Sequence, residues 1–167
     1  MSATPPVARA MNHVAYLTTD TEATIRFYTE VLGLPHVHTI VGERDATGAA
    51  LPHLHTFFAL GTGECLAFFE IRGVRPGPPD GAPKWARHLA LGVDSAETLA
   101  AWKRHLRSKG VEVVGPVDHH GVWSSIYFED PNGILLELTH QSRPLTPEEA
   151  AAAPQIAREW LATHGRG

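Results

Sequence analysis

Apolar and polar positions along this chain follow one pattern twice, in residues 11–74 and again in residues 86–140. Each copy opens with a strand-like run that begins at a His, and His13 and His88 are 75 positions apart (88 minus 13). In both copies a polar turn follows, and then an amphipathic stretch that ends at a Gly, which is typical of a helix after a strand. The pattern therefore predicts a repeated β-α-β-β-β unit.

The first copy contains one predicted helix among four predicted strands. Apolar residues recur at the spacing of one helical face between residues 21 and 32. Thr19 and Asp20 are suitable N-caps before this stretch, and Gly33 follows it as a suitable helix stop. Alternating or continuous apolar runs predict strands at residues 13–17, 35–41, 53–60 and 65–71, with a polar loop over residues 41–51.

The second copy repeats this order with different residues. Its helix is expected to begin after Asp94 or Ser95 and to end at Gly110, with Leu99, Trp102 and Leu106 on one face. Strands are predicted at residues 88–93, 111–114, 122–128 and 134–139. The Asp-Pro-Asn-Gly segment at residues 130–133 fits a type I turn before the last strand.

The remaining segments divide the chain further. Residues 1–10 are predicted to be a flexible tail, and residues 75–85 are rich in Pro and Gly and are predicted to be a linker. Residues 141–167 are predicted to form a C-terminal helix and tail, in which Thr146 is the N-cap and the helix extends to about residue 162. Ile156 and Trp160 are expected to pack on the body of the protein. The fold class is thus α+β with two βαβββ modules.

Composition narrows the classes of function. The chain is 43% hydrophobic and 19% charged, with a net charge of −4 and no basic run, which argues against a nucleic-acid partner. Its single Cys, Cys65, excludes an internal disulfide and is typical of a cytoplasmic protein. No apolar run approaches membrane length. A small-molecule substrate is therefore the expected partner.

Three residues suggest a metal site. Glu137 lies in the apolar run Ile-Leu-Leu-Glu-Leu-Thr, where an ionised carboxylate is costly unless it is paired or bound to a metal. His88 opens the first strand of the same module, and His13 occupies the matching position of the other module. Two imidazoles and one carboxylate suit a divalent metal with open positions. Fe(II) or Mn(II) is favoured, and Zn(II), Ni(II) or Co(II) is possible.

Glu70 is a fourth metal-ligand candidate, at the end of the first module. It is seven residues after the turn glycine Gly63, whereas Glu137 is four residues after Gly133. Because side chains alternate along a strand, an odd and an even spacing place the two carboxylates on different faces unless a bulge intervenes.

The repeated modules, the two opening His and the segment Asp-Pro-Asn-Gly-Ile-Leu-Leu-Glu resemble the vicinal oxygen chelate superfamily. This superfamily includes glyoxalase I, bleomycin-resistance proteins and extradiol dioxygenases. The resemblance implies that the modules form an open cup of strands and that His13, His88 and Glu137 bind the metal. Whether one chain forms the cup or two chains of a homodimer exchange modules remains open at this point.

The segment before Glu137 is similar to the extradiol dioxygenase signature, with a Tyr ten residues upstream and a His before it. This similarity implies that Tyr127 donates a hydrogen bond to a substrate oxygen and that His119 or His120 moves a proton. Both His fit the spacing. The expected activity is therefore that of a dioxygenase acting on a small catechol-like substrate.

Two alternatives follow from other branches of the same superfamily. A glyoxalase-type lyase, isomerase or epimerase would use Glu70 as a fourth ligand or as a base. A non-enzymatic drug-binding resistance protein would keep the pocket without the metal. His53 and His55 share one strand face and either line the cup or face solvent, and solvent is the favoured expectation.

Overall fold

A computed structural model describes residue 8, residues 10–77 and residues 81–164 of this chain. Most of the predicted tail, part of the predicted linker and the last three residues lie outside these ranges. The described residues form two four-stranded sheets with helices, which confirms the α+β class and the repeated module. One compact unit extends to His88 and also includes Glu129–Leu135, and the other comprises Leu89–Phe128 and the chain from Leu136 onwards.

The first sheet has the strand order β1-β4-β3-β2, with β1 parallel to β4 and the other pairs antiparallel. The predicted loop over residues 41–51 is shorter than expected, because β2 and β3 remain paired as far as Arg44 and Ala50. The elements are β1 (His13–Leu17), α1 (Thr21–Arg26), a π-helical turn (Phe27–Val31), β2 (His36–Arg44), β3 (Ala50–Ala59) and β4 (Cys65–Ile71).

The first helix begins and ends for identifiable reasons. The Asp20 carboxylate accepts a hydrogen bond from the Ala23 amide at 2.8 Å and acts as the N-cap. The π-helical turn adds a residue to the last turn, and both Phe27 and Tyr28 are buried there. Tyr28 packs against Phe58 and Phe68, with ring centroids 5.2 and 4.8 Å away. This aromatic cluster fills the space between the helix and the sheet.

The second sheet has the order β5-β8-β7-β6. The prediction of a strand at residues 111–114 is wrong, because Val111 still bonds to the last turn of the helix and Val113 is buried. Ser95, rather than Asp94, is the N-cap of the helix. The elements are β5 (His88–Gly92), α2 (Ala96–Ser108), β6 (Val114–His119), β7 (Trp123–Glu129), β8 (Leu135–Gln141) and α3 (Pro147–His164), with a 3-10 turn at Lys84–Ala86.

Helix α3 begins as the sequence predicts but does not pack as predicted. Thr146 and Glu149 exchange side-chain-to-backbone hydrogen bonds of 3.2 and 2.7 Å, which forms a capping box. Ile156 and Trp160 are 62% and 57% exposed, so the expected packing on the body is wrong. The chain contributes no surface that covers them within the described residues. None of the described helices has the length and apolar composition needed to cross a membrane.

Candidate functional site

Three polar side chains of the second unit form a connected group. The Tyr127 hydroxyl lies 2.9 Å from Nε2 of His119. Burial, and then the negative charge of Glu137, raise the pKa of Tyr127. Glu137 is only 6% exposed. A phenol and an imidazole are therefore in direct contact, and the charge of a buried carboxylate acts on the phenol.

Strand pairing explains why His119, and not His120, joins this group. His119 is paired with Trp123, and Trp123 shares the strand face of Tyr127 because the two residues are four apart on β7. His120 follows the end of β6 at a φ of 57°, in a turn, and is exposed. The structure thus brings Tyr127 and His119 together and places His120 outside the group.

The two repeated His share a ring orientation. Nδ1 of His13 lies 2.7 Å from the side-chain oxygen of Asn12, and Nδ1 of His88 lies 2.9 Å from the backbone oxygen of Trp85. An oxygen of this kind only accepts hydrogen bonds, so each ring donates its Nδ1–H and carries its lone pair at Nε2. Metal-binding imidazoles are typically held in this way. The donor chemistry of His13, His88 and Glu137 therefore fits a divalent metal.

These three candidate ligands are divided between the two compact units. His13 and His88 belong to the first unit, whereas Glu137 belongs to the second. Among the described residues, no three His, Cys, Asp or Glu side chains approach closely enough to hold a metal ion. The assignment of the three residues as ligands stays a prediction.

Glu70 lies on the opposite face of the first sheet from His13. His13 is paired with Cys65, and Glu70 is five residues further along β4. The pairing of β3 with β4 runs without a bulge, so the odd spacing holds. The Glu70 carboxylate instead accepts a hydrogen bond from the Thr21 amide at 2.9 Å, at the start of α1. This register gives no support to Glu70 as a ligand beside His13, and its role as a ligand stays a prediction.

Ala67 occupies the position in the first module that Glu137 occupies in the second. The Thr18 amide donates to the Phe69 carbonyl at 2.8 Å, and the Val93 amide donates to the Thr139 carbonyl at 2.9 Å. Thr18 and Val93 each follow their opening His by five residues, so Phe69 matches Thr139 at a spacing of 70 (139 minus 69). The same spacing matches Ala67 to Glu137. The first module thus supplies no equivalent carboxylate.

His55 is a candidate that the sequence pattern did not single out. The expectation that it faces solvent is wrong, because it is only 8% exposed and its Nε2 is buried without a hydrogen-bond partner. Its ring is stacked on Phe69 at 3.5 Å and lies 6.3 Å from the ring of His13. Burial, and then the neighbouring imidazoles of His13, His53 and His38, lower its pKa. In the sequence, the His-x-His-x-Phe alternation along β3 is the feature that could have indicated this burial.

The Asp130–Gly133 turn is structural. The Asp130 carboxylate accepts hydrogen bonds from the Tyr28 hydroxyl at 3.0 Å and from the amides of Asn132 and Ile134 at 2.8 and 2.9 Å. Burial, and then the charge of Asp130, raise the pKa of Tyr28. The side chain of Asn132 also donates to Thr24 at 3.1 Å. This turn, which immediately precedes β8, is therefore anchored to the first helix.

Comparison with known proteins agrees with this architecture. The family model described as the glyoxalase/bleomycin resistance protein/dioxygenase superfamily matches residues 10–138. The chain therefore belongs to this superfamily, and the resemblance seen in its sequence is confirmed.

Individual relatives are more distant. The biphenyl-2,3-diol 1,2-dioxygenase 2 of Rhodococcus globerulus is 38% identical over 65 residues, which are 39% of this chain and 33% of that enzyme. A Bacillus subtilis protein, MhqA, that carries a ring-cleaving dioxygenase name is 29% identical over 121 residues, 71% of this chain and 35% of the relative. The chain thus spans about a third of the length of these curated relatives.

A solved structure is similar over most of the chain. The fosfomycin resistance protein FosX of Listeria monocytogenes, in complex with Mn(II) and sulfate, matches with a TM-score of 0.55 and 19% identity. The match covers 87% of this chain and 99% of FosX. At this identity the likeness concerns the fold.

Proposed function

We propose that this protein is a metal-dependent vicinal oxygen chelate enzyme that acts on a small catechol-like substrate, in the manner of an extradiol dioxygenase. The observation that carries the proposal is the contact between His119 and Tyr127, together with the buried carboxylate of Glu137 whose charge acts on Tyr127. It combines a candidate metal ligand with a hydrogen-bond donor and a proton carrier. The dioxygenase names of the two curated relatives support the same reaction class.

His13, His88 and Glu137 are the residues that would hold the metal. Their two Nε2 lone pairs and one carboxylate leave coordination positions open, which favours Fe(II) or Mn(II). Such an ion supplies Lewis acidity and adjoining positions for two substrate oxygens and O2. The presence of Mn(II) in FosX supports a divalent ion.

Side chains of the protein would donate and accept the protons that the reaction requires. Tyr127 would donate a hydrogen bond to a substrate oxygen, as the resemblance to extradiol dioxygenases implies. His119, 2.9 Å from this hydroxyl, would take up or return the proton. The unpaired Nε2 of His55 is a second candidate for accepting a substrate proton.

The glyoxalase-type alternative has less support. It needs a carboxylate from the first module, yet Ala67 occupies the matching position and Glu70 lies on the other sheet face. Activity with Ni(II), Co(II) or Zn(II) in the absence of O2 would select this alternative. A protein that binds no metal but still takes up an apolar drug would select the non-enzymatic resistance protein.

The test is reconstitution with Fe(II) or Mn(II) without O2, followed by catechol substrates and O2. We expect a ring-cleavage chromophore and about one metal per three-ligand site. Absence of the chromophore over a substrate panel, with metal bound, would contradict the dioxygenase proposal. Sedimentation of the same samples tests the expected homodimer, which repeated modules readily form by exchange.

A further inference from the structure

A cavity of about 390 Å³ lies between α2 and the β6–β7 part of the second sheet. Ser124 and Ile126 line it from the sheet. These residues alternate with Ser125 and Tyr127 along β7, so the cavity is on the sheet face opposite Tyr127. Its volume is within the range of small-molecule sites, about 300–1,000 Å³. The cavity is thus separate from the site described above.

The walls of this cavity combine an apolar floor with positive charge. Leu99, Ile126 and Pro116 provide apolar surface, and Ala100 leaves the space open because its side chain is short. Lys103, Arg104 and Arg107 also line the cavity, and no Asp or Glu does. A ligand that fits has an apolar body and an anionic group.

The three positive charges lack carboxylate partners among the described residues. The Lys103 amine donates to the Gly115 carbonyl, and the Arg107 guanidinium donates to the Val113 carbonyl at 3.4 Å. Backbone carbonyls orient a cation without neutralising it. The cluster is a local exception in a chain whose net charge is −4. Such a cluster attracts an anion more strongly than isolated surface cations do.

We propose that this α2 cavity, lined by Leu99, Ala100, Lys103, Arg104, Arg107 and Ile126, binds a small amphipathic carboxylate. The apolar chain or ring lies on Leu99 and Ile126, and the carboxylate meets the guanidinium groups at the mouth. A planar guanidinium pairs with a carboxylate through two parallel hydrogen bonds, so arginine suits this role. The proposal is independent of the reaction at the metal site.

The test is calorimetric titration of the full chain with decanoate, decanol and acetate. Decanoate should bind at least about tenfold more tightly than decanol, because a charge-assisted hydrogen bond is lost in the alcohol. Acetate should bind weakly, because it has no apolar body. Equal affinity for decanoate and decanol would overturn the proposal.

Substitutions test whether decanoate binds in the α2 cavity. Arg104→Gln should weaken decanoate binding about tenfold, and Ala100→Leu should abolish it by filling the cavity. Arg158→Gln on α3 removes the same charge elsewhere and should change nothing. Circular dichroism verifies that each variant is folded. Decanoate binding that persists in Ala100→Leu, or that disappears in Glu137→Gln, would place the ligand elsewhere and refute the proposal.

Discussion

The two modules have the same strand order but differ at the positions where chemistry is expected. Backbone hydrogen bonds match their β3–β4 and β7–β8 hairpins at a constant spacing of 70 residues (139 minus 69, and 130 minus 60). Three polar side chains of the second module, a carboxylate, a phenol and a serine hydroxyl, are matched at this spacing by different residue types in the first module. The pairs are Glu137 and Ala67, Tyr127 and Phe57, and Ser125 and His55.

The repeated modules therefore differ in the kinds of side chain that they contribute. The first module contributes imidazoles among aromatic rings, whereas the second contributes the carboxylate and the phenol. A duplicated backbone preserves strand register because register is set by continuous hydrogen bonding. Side chains can diverge while the register is kept, and here the opening His are retained whereas the carboxylate and the phenol occur in the second module alone.

The layer between helix and sheet differs as well. In the first module the π-helical turn brings Phe27 and Tyr28 inward, and Tyr28 packs on Phe58. In the second module a regular helix buries Leu99 and Leu106 and leaves the α2 cavity beside them. Aromatic side chains therefore fill this layer in one module, and smaller side chains leave a cavity in the other.

The largest expected effect distinguishes the two carboxylates. Glu137→Gln should lower metal affinity and ring-cleavage activity by more than the roughly 10- to 100-fold that loss of a supporting partner costs. Glu70→Gln should retain both, since Glu70 faces the first helix. Metal content and turnover measure the difference. If Glu70→Gln removes the metal and Glu137→Gln does not, the assigned asymmetry is wrong.

The adjacent His provide the second test. His119→Gln should reduce turnover about 100-fold or more, which is the usual contribution of a proton-transfer group. His120→Asn is the matched control, because Asn tolerates the positive φ of this position. Turnover of reconstituted protein should be nearly normal in the control. Equal losses in the two variants would show that the contact between His119 and Tyr127 is not used.

Two tyrosines test stability against function. Tyr28→Phe should lower the free energy of unfolding by about 1–3 kcal/mol, because it removes a buried hydrogen bond to Asp130. Tyr127→Phe should cost less stability, since Tyr127 is half-buried, but should reduce turnover. Urea denaturation and activity assays on both variants check this. A larger stability loss in Tyr127→Phe would reverse the comparison.

The smallest expected effect concerns the helix caps. Among the described residues, only the Ser95 side chain accepts a hydrogen bond from the Thr98 amide. Ser95→Ala should therefore lower the free energy of unfolding by about 1 kcal/mol. Asp20→Ala should lower the free energy of unfolding by less, because the Glu70 carboxylate still accepts a hydrogen bond from the Thr21 amide. Thermal unfolding of both variants, of Glu70→Ala, and of Asp20→Ala combined with Glu70→Ala, measures the compensation. Additive losses in the double variant would indicate that Glu70 gives none.

Much of the fold was predictable from local pattern. The bounds of β1 and β4 match the predicted strands, and Ser95 was one of the two candidate caps of α2. Alternation along β4 also predicted that Glu70 and Glu137 differ in face. These features depend on neighbours within a few residues. The π-helical turn and the start of β6 were not predicted, because packing of Tyr28 and Val113 decides them.

The sequence by itself determined the duplication, the α+β class and the superfamily, and it predicted which residues bind a metal. Each of these depends on residue type and spacing along the chain. Only the tertiary structure decided that His119 rather than His120 meets Tyr127, and that His55 is buried with an unpaired nitrogen. Strand pairing and burial bring together residues that are distant in sequence. The spacing of residues along the chain does not reveal which of them come into contact.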